Sequence, residues 1–197
     1  SETQLGVYKT FNIDPETYYV YPKKIETKKM SGNTAFILTN HLNKVDYQNN
    51  GFYPYFDIVS TNDVLNGDLT TVTQEVDGYG NLTLQSKNIN NGEASESTEF
   101  SGYTSYGNFG VPNKPSSVTI TNTYQEKPSA VSTVEFTYYP NGLIHEEKKR
   151  PGTSKESKST FSYNTVGNLS SIVLSATGLT SRNTSFSYDS KNRFVTS

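Results

Sequence analysis

The 197-residue sequence has no cysteine and no tryptophan, one methionine and two histidines. Without cysteine there is no disulfide framework, no thiolate metal site and no cysteine nucleophile. His41 and His145 lie far apart and show no metal-ligand spacing, so a transition-metal site is not expected. The longest apolar run, residues 35–38, falls far short of the roughly 20 residues that a membrane helix requires. A net charge of −2 gives no sign of a nucleic-acid partner.

What the chain does have is 15 tyrosines and 10 phenylalanines among many Thr, Ser and Asn residues. Tyrosine, phenylalanine and threonine favour strands, whereas Ser, Asn and Gly favour turns. No stretch beyond a few residues has a convincing 3.6-residue apolar period. These features predict an all-β protein with helix in less than roughly a tenth of its residues.

The sequence repeats itself. Residues 160–169 match residues 185–194 without a gap, which places Tyr163 on Tyr188 at an offset of 25. Five copies of the pattern start at residues 76, 103, 138, 163 and 188, separated by steps of 27, 35, 25 and 25. Such periodicity is typical of a repeat protein, in which one supersecondary unit is stacked many times. Residues 110–115 are interpreted as a loop that accounts for much of the longer step.

The third, fourth and fifth copies begin with an aromatic alternation of the type Phe-x-Tyr, at residues 136–138, 161–163 and 186–188. In a strand this spacing points both rings to one face, so we expect each hairpin to bury its aromatic face against the next one. Tyr163 and Tyr188 are expected to stack on neighbouring hairpins. The predicted repeat aromatics are Phe100, Tyr103, Phe136, Tyr138, Phe161, Tyr163, Phe186 and Tyr188.

A tight turn is predicted next in each copy. Its first three residues are turn formers, and Asn164 or Asp189 can hydrogen-bond the backbone two residues further on. Glycine then fits a position with positive φ, at which asparagine is the next best tolerated residue. An apolar residue such as Leu82, Leu169 or Phe194 restarts a strand. The predicted turn positions are Gly80, Asn81, Gly107, Asn108, Gly142, Gly167, Asn168, Asp189, Asn192 and Arg193.

The runs at residues 188–194 and 163–169 resemble the YD repeat of RHS-repeat proteins, whose pattern is Tyr-Asp-x-x-Gly-Arg/Asn-Leu. This family includes bacterial RHS toxins, toxin-complex cocoon subunits, wall-associated bacterial proteins and teneurins. The resemblance covers residues 76–197 and hardly touches residues 1–75. The motif's Asp is replaced by Thr104, Tyr139 and Asn164, and its Gly by Asn192. Val76 stands where the motif's Tyr is expected.

The resemblance implies a repeat array of antiparallel β-hairpins that forms a long, twisted, curved open sheet, an arc of a shell. Residues 1–75 are expected to form a β-rich segment of diverged hairpins continuous with that sheet. The function implied is a non-catalytic wall segment that encloses or presents a C-terminal effector or toxin. We expect it to be a piece of a longer protein, secreted or at the bacterial cell surface. Its partner would be the rest of the same polypeptide, with no cofactor, nucleic acid or membrane insertion.

Four groups of residues also allow other interpretations. A carbohydrate-binding or adhesive β-module would use the aromatic cluster of Phe52, Tyr53, Tyr55 and Phe56 as its platform, since aromatic rings stack on sugars. The lysine-rich residues 23–29 form either a solvated strand face or a basic patch. Glu75 and Asp77 could pair as glycosidase carboxylates, but an enzyme is disfavoured, because nothing in the sequence brings two carboxylates into a cleft and no nucleophile motif is present. Asp63, Asn66 and Asp68 read as a turn rather than a calcium site.

Overall fold

The computed structural model of the chain describes residues 2–5, 8–12, 18–48, 51–106 and 111–196. Side-chain environments are described for residues 20–44, 55–104 and 113–196. Every regular element within these ranges is a β-strand. None of the described residues forms a helix long and apolar enough to cross a membrane. The predicted all-β class is therefore confirmed.

The described residues form seventeen strands. Their bounds are β1 Glu2–Leu5, β2 Tyr8–Asn12, β3 Tyr18–Pro22, β4 Lys24–Ser31, β5 Thr34–Gln48, β6 Gly51–Asp63, β7 Asp68–Val76, β8 Leu82–Ile89, β9 Ala94–Ser101, β10 Thr104–Tyr106, β11 Val111–Lys114, β12 Ser117–Tyr124, β13 Ala130–Tyr138, β14 Ile144–Lys149, β15 Ser157–Tyr163, β16 Leu169–Ala176 and β17 Arg182–Ser185.

Thirteen of these strands are hydrogen-bonded in one sheet, in the order β1-β4-β5-β6-β7-β8-β9-β12-β13-β14-β15-β16-β17. The strands β2 and β3 form a separate two-stranded sheet, as do β10 and β11. Nearly all neighbours in the large sheet are consecutive in the chain, and the strand pairs with an assigned register are antiparallel. The order has two free ends, so the predicted open sheet of antiparallel hairpins is confirmed.

By compactness the chain divides into two units, Ser1–Glu99 with Ile120–Ala130, and Phe100–Thr119 with Val131–Ser197. The first copy of the repeat belongs to the first unit, and the later copies belong to the second. The start of the predicted repeat region, residue 76, lies at the end of β7, whose residues 70–76 pair with residues 82–89 of β8.

The first unit contains the longest hairpin, β5 and β6, which are 15 and 13 residues long. The predicted turn at residues 31–33 joins β4 to β5, and Gly32 has a φ of 58° there. Pro22 ends β3, which is one of the few strand positions open to proline because it has no N–H to donate to a ladder. Asn43 holds this strand end to β5, because its Nδ2 donates to the Pro22 carbonyl at 2.6 Å.

The described residues form almost no buried core. Tyr21, in β3 of the small β2-β3 sheet, is 6% exposed and is the single buried hydrophobic side chain among them, and none of their polar side chains is buried. Polar Thr, Ser and Asn residues occupy many strand positions, so neither face carries the dense apolar surface that would attract a second layer. The expected burial of aromatic faces is therefore only partial: Tyr163 and Tyr188 are half-buried.

In the second unit the second copy of the repeat departs from the expected turn. Residues 104–106, predicted to be turn formers, are the strand β10, and residues 111–114, predicted to be loop, are its partner β11. Gly102, with a φ of 65°, breaks the chain away from β9 just before this hairpin. The predicted turn residues Gly107 and Asn108 lie outside the described residues. The longer step of 35 thus contains an added hairpin.

Candidate functional site: the repeat turns and a groove between two of them

Three repeat turns share one backbone hydrogen-bond pattern. The first turn residue donates its N–H to the carbonyl four residues on, and its own carbonyl accepts from the N–H three residues on. The pairs of distances are 2.9 and 3.0 Å at Asp77, 2.8 and 2.8 Å at Tyr139, and 2.8 and 3.0 Å at Asn164. The strand register shifts by one residue just before each turn. This is the geometry of a three-residue hairpin loop closed by a β-bulge.

The fourth turn position has the left-handed conformation predicted for it. The φ values are 80° at Gly80, 78° at Gly142, 89° at Gly167 and 55° at Asn192. A side chain is strained in this region, and asparagine is the residue that tolerates it best after glycine. The prediction of positive φ is confirmed at these four positions.

Side-chain caps hold two of the turns. Asn164 Oδ1 accepts from the N–H of Val166 at 3.1 Å, two residues on as predicted, and from Asn168 at 2.9 Å. Asp77 Oδ1 accepts in the same way from Tyr79 at 2.8 Å and Asn81 at 2.9 Å. Partial burial raises the pKa of Asp77, but the hydrogen bonds from Asn81, Tyr79 and Gly80 outweigh it, so the pKa lies below 3.8. This carboxylate is a structural cap.

In the last copy, the first turn residue donates its N–H to the carbonyl five residues on, one residue later than in the other three turns. Asp189 Oδ1 accepts from Arg193 at 2.6 Å and Phe194 at 3.2 Å, four and five residues on rather than two. Tyr188 pairs with Val195 in an isolated bridge. Phe194 was predicted to restart a strand, and this is wrong: it is 66% exposed and lies in a bend. The extra residue in the turn shifts the return pairing past it.

The repeat aromatics are all half-buried where they are described, and their contacts differ from copy to copy. These residues are Phe100, Tyr103, Phe136, Tyr138, Phe161, Tyr163, Phe186 and Tyr188. Phe136 and Tyr138 share a face, as predicted, with ring centroids 6.3 Å apart and planes at 25°. Tyr188 donates its hydroxyl to the Leu169 carbonyl at 2.8 Å. The predicted stacking of Tyr163 with Tyr188 is replaced by an edge contact of Tyr163 with Tyr139, at 6.0 Å and 85°.

Asparagines link the fourth and fifth turns. Asn164 Nδ2 donates to Asn192 Oδ1 at 3.2 Å, and Asn168 Nδ2 donates to the Asn192 carbonyl at 2.6 Å. The predicted turn residues Asn168 and Asn192 therefore form a joint between successive copies.

Between the third and fourth turns lies a groove of about 350 Å³ that includes Tyr139, Pro140, Asn141, Leu143, Ser162 and Tyr163 in its lining. Tyr139 occupies the motif's Asp position, and its hydroxyl donates to the Phe161 carbonyl on the next hairpin at 3.0 Å. Burial, with a contribution from Tyr139, raises the pKa of Tyr163. Sequence reasoning missed this groove, although the replacement of Asp by Tyr139 was the available signal.

The aromatic cluster of β6 is divided by strand geometry. Tyr55 and Phe56 are consecutive strand residues and point to opposite faces of the sheet. Phe56 is 47% exposed and its ring lies 5.3 Å from that of His41, whereas Tyr55 has Lys44 Nζ 6.0 Å above it. The side chains of Phe52 and Tyr53 lie outside the described ones. The two described rings do not share one platform.

The lysine-rich strand β4 carries its own counter-charge. Glu26 contacts Lys28 at 2.9 Å and Lys24 at 3.4 Å, and the hydrogen bond from Lys28 is the main cause that lowers the Glu26 pKa. All three side chains remain solvent-accessible, so each pair contributes little to stability. This pairing favours a solvated strand face over a basic binding patch.

The Asn- and Asp-rich turn after β6 is held by its own side chains. Asp63 Oδ1 accepts from the N–H groups of Leu65 at 3.0 Å and Asn66 at 3.2 Å, and its Oδ2 accepts from Asn66 Nδ2 at 2.9 Å. The hydrogen bonds from Asn66 are the main cause that lowers the Asp63 pKa. In the described part of the chain, no group of three or more His, Cys, Asp or Glu residues is arranged to hold a metal.

No protein-family model matches this chain. A search of curated proteins likewise finds no match.

Proposed function

We propose that this chain is a non-catalytic structural segment of an RHS/YD-repeat protein. In this proposal it is a wall of a β-shell that encloses or presents a C-terminal effector, in an exported bacterial protein. The observation that carries the proposal is the turn geometry. The motif positions at Asp77, Tyr139 and Asn164 have the same backbone hydrogen bonds, each followed by a left-handed glycine.

The packing supports a wall. In the large sheet most strands pair with their neighbours in the chain, and the described side chains form almost no core. The fourth and fifth copies are joined from turn to turn by the bonds from Asn164 and Asn168 to Asn192. An array with such contacts has a stability that is approximately a sum of nearest-neighbour terms, which suits an extensible wall.

The state of the acidic groups agrees with a structural role. Asp77 and Asp63 have a lowered pKa because their oxygens accept hydrogen bonds from their own turns. A general acid would instead need a raised pKa and a position facing a cleft.

Limited proteolysis of the full-length parent protein tests the proposal. If this chain is part of an enclosing wall, the polypeptide C-terminal to it resists protease, and Gly167→Val makes that segment sensitive by opening a repeat turn. Gly167→Asn is the matched control, because asparagine already occupies the equivalent position at residue 192. Equal digestion of the C-terminal segment in all three proteins would contradict an enclosing wall. A glycan array tests the rival adhesive module, which requires binding through Phe52, Tyr53, Tyr55 and Phe56.

A further inference from the structure

The chain contains four Asn-Gly pairs, of which Asn66-Gly67, Asn91-Gly92 and Asn141-Gly142 lie among the described residues. In such a pair the backbone nitrogen of glycine can attack the side-chain amide carbon of asparagine, because glycine has no Cβ that obstructs the approach. The new carbon–nitrogen bond closes a five-membered succinimide ring. The side-chain nitrogen leaves as ammonia, taking up the proton that the glycine nitrogen gives up, and water then opens the ring to aspartate or isoaspartate.

The first restraint on this reaction is the hydrogen bond of the glycine N–H, since the nitrogen must lose its proton to attack. In all three pairs this N–H donates to a backbone carbonyl of its own turn: Gly67 to Asp63 at 2.8 Å, Gly92 to Ile89 at 3.1 Å and Gly142 to Tyr139 at 2.8 Å. Hydrogen bonds weaken as they lengthen beyond their usual distance. The Gly92 N–H is therefore the easiest of the three to release.

The second restraint is the side chain of asparagine, which must turn towards the glycine nitrogen. Asn66 Nδ2 donates to Asp63 Oδ2 at 2.9 Å, and Asn141 Oδ1 accepts from the Leu143 N–H at 3.2 Å. In the part of the chain that the structure describes, the Asn91 side chain makes no hydrogen bond. Of these three asparagines, Asn91 alone is free to reorient without breaking a contact.

The third restraint is access of water and base to the pair. Asn91 and Gly92 are both exposed, whereas Gly142 is buried behind an exposed Asn141. The pair at residues 66–67 is exposed as well, but there the Asp63 carboxylate holds the amide through a charge-assisted hydrogen bond, which is stronger than a neutral one. All three restraints are weakest at Asn91.

We propose that Asn91 is a site at which this chain modifies itself, and that among the described Asn-Gly pairs it is the first to become aspartate or isoaspartate. The reaction breaks the Asn91 Cγ–Nδ2 bond, consumes a water and releases ammonia. Its product adds a carboxylate to a turn in which Asn90 Nδ2 already donates to Asp68 at 3.0 Å and Glu93 at 2.8 Å. Isoaspartate also lengthens the main chain by one carbon, so the hairpin of β8 and β9 should loosen first. The reaction needs only this turn and does not depend on the wall role.

Peptide mapping by mass spectrometry of the folded chain, aged in mildly alkaline buffer, tests the proposal. The peptide that contains Asn91 should gain the mass difference between a hydroxyl and an amino group about fivefold faster than those of Asn66 and Asn141, because each of these must break one more hydrogen bond. Aging in urea removes the turns, so the three rates should converge there. Asn91→Gln is the control variant, because its longer side chain does not close a five-membered ring and its peptide should stay unmodified. Circular dichroism establishes that this variant is folded.

Three outcomes would overturn the proposal. One is modification of Asn66 or Asn141 as fast as that of Asn91 in the folded chain. Another is an Asn91 peptide that stays unmodified in the folded chain while it reacts in urea. The third is an undiminished lead of Asn91 in urea, because the neighbouring sequence rather than the turn would then set the rate.

Discussion

The left-handed glycine of the fourth repeat turn gives the sharpest test of the structural reading. Gly167 has a φ of 89°, and a Cβ built there meets only Leu143 Cδ1, at 4.0 Å. That distance is an ordinary van der Waals contact, so a side chain has space. The cost of a substitution is therefore a backbone cost, and it should depend on how well the new residue tolerates positive φ.

Three substitutions at positive-φ positions should therefore lower the free energy of unfolding by different amounts. Gly167→Val should destabilise the fold by about 1–3 kcal/mol, because a β-branched residue is strained in this region. Gly167→Asn should cost less than about 1 kcal/mol, since asparagine visits the left-handed region readily. The reciprocal change, Asn192→Gly, should relieve the backbone at its φ of 55° but lose the hydrogen bond that Asn192 Oδ1 accepts from Asn164, so a net cost of no more than about 1 kcal/mol is expected.

Urea denaturation followed by circular dichroism measures these differences, with the slope of each transition compared to detect a change in cooperativity. The reasoning would be refuted if Gly167→Asn were as destabilising as Gly167→Val, because steric space rather than φ would then set the cost. It would equally fail if both were neutral, since residue 167 would then not need the left-handed conformation.

Three further outcomes are expected. Gly102→Ala should destabilise the fold more than Gly167→Ala does, because the Cβ of the new alanine would collide with Ser116 Oγ in addition to being strained at a φ of 65°. Adding Ser116→Gly should restore part of the lost stability, measured by urea denaturation. Asp77 has a folded-state pKa below its ordinary 3.8, so its contribution to stability is present above pH 3.8 and is lost as the pH falls through the lower value. The urea midpoint of Asp77→Asn should therefore fall less steeply with decreasing pH in that range than the midpoint of the unchanged protein. The same pH profile in both proteins would contradict this. Chelator should leave the melting temperature unchanged, because the Asp63 oxygens already accept hydrogen bonds from their own turn; a large drop would identify a metal site there.

The sequence predicted the fold class and the turn chemistry because both depend on local rules. Alternation with period two, turn residues and a position that only glycine or asparagine tolerates are all readable in a single copy. Gly80, Gly142, Gly167 and Asn192 accordingly have the expected conformation.

What the sequence did not reveal depends on contacts between copies. The pairing of Tyr163 with Tyr139 rather than Tyr188 requires knowledge of how far a ring reaches across to the next hairpin. The added hairpin after Gly102 was hidden because Thr104 and Ser105 are common in turns and in strands alike. The groove was hidden for a related reason: Tyr139 looked like a degenerate motif position until its neighbours were placed around it.

The added hairpin shows how such a chain can acquire new surfaces. Ser116 donates its N–H to the carbonyls of both Ser101 and Gly102, at 2.9 and 3.1 Å, so the chain leaves and re-enters at nearly the same point. The entropy of closing a segment rises only slowly with its length. An insertion at this point therefore leaves the flanking strand ends together. A foreign peptide grafted there could be displayed without any change to the strand residues. Evolution can vary such a protein by exchanging its turns while its hairpins stay the same.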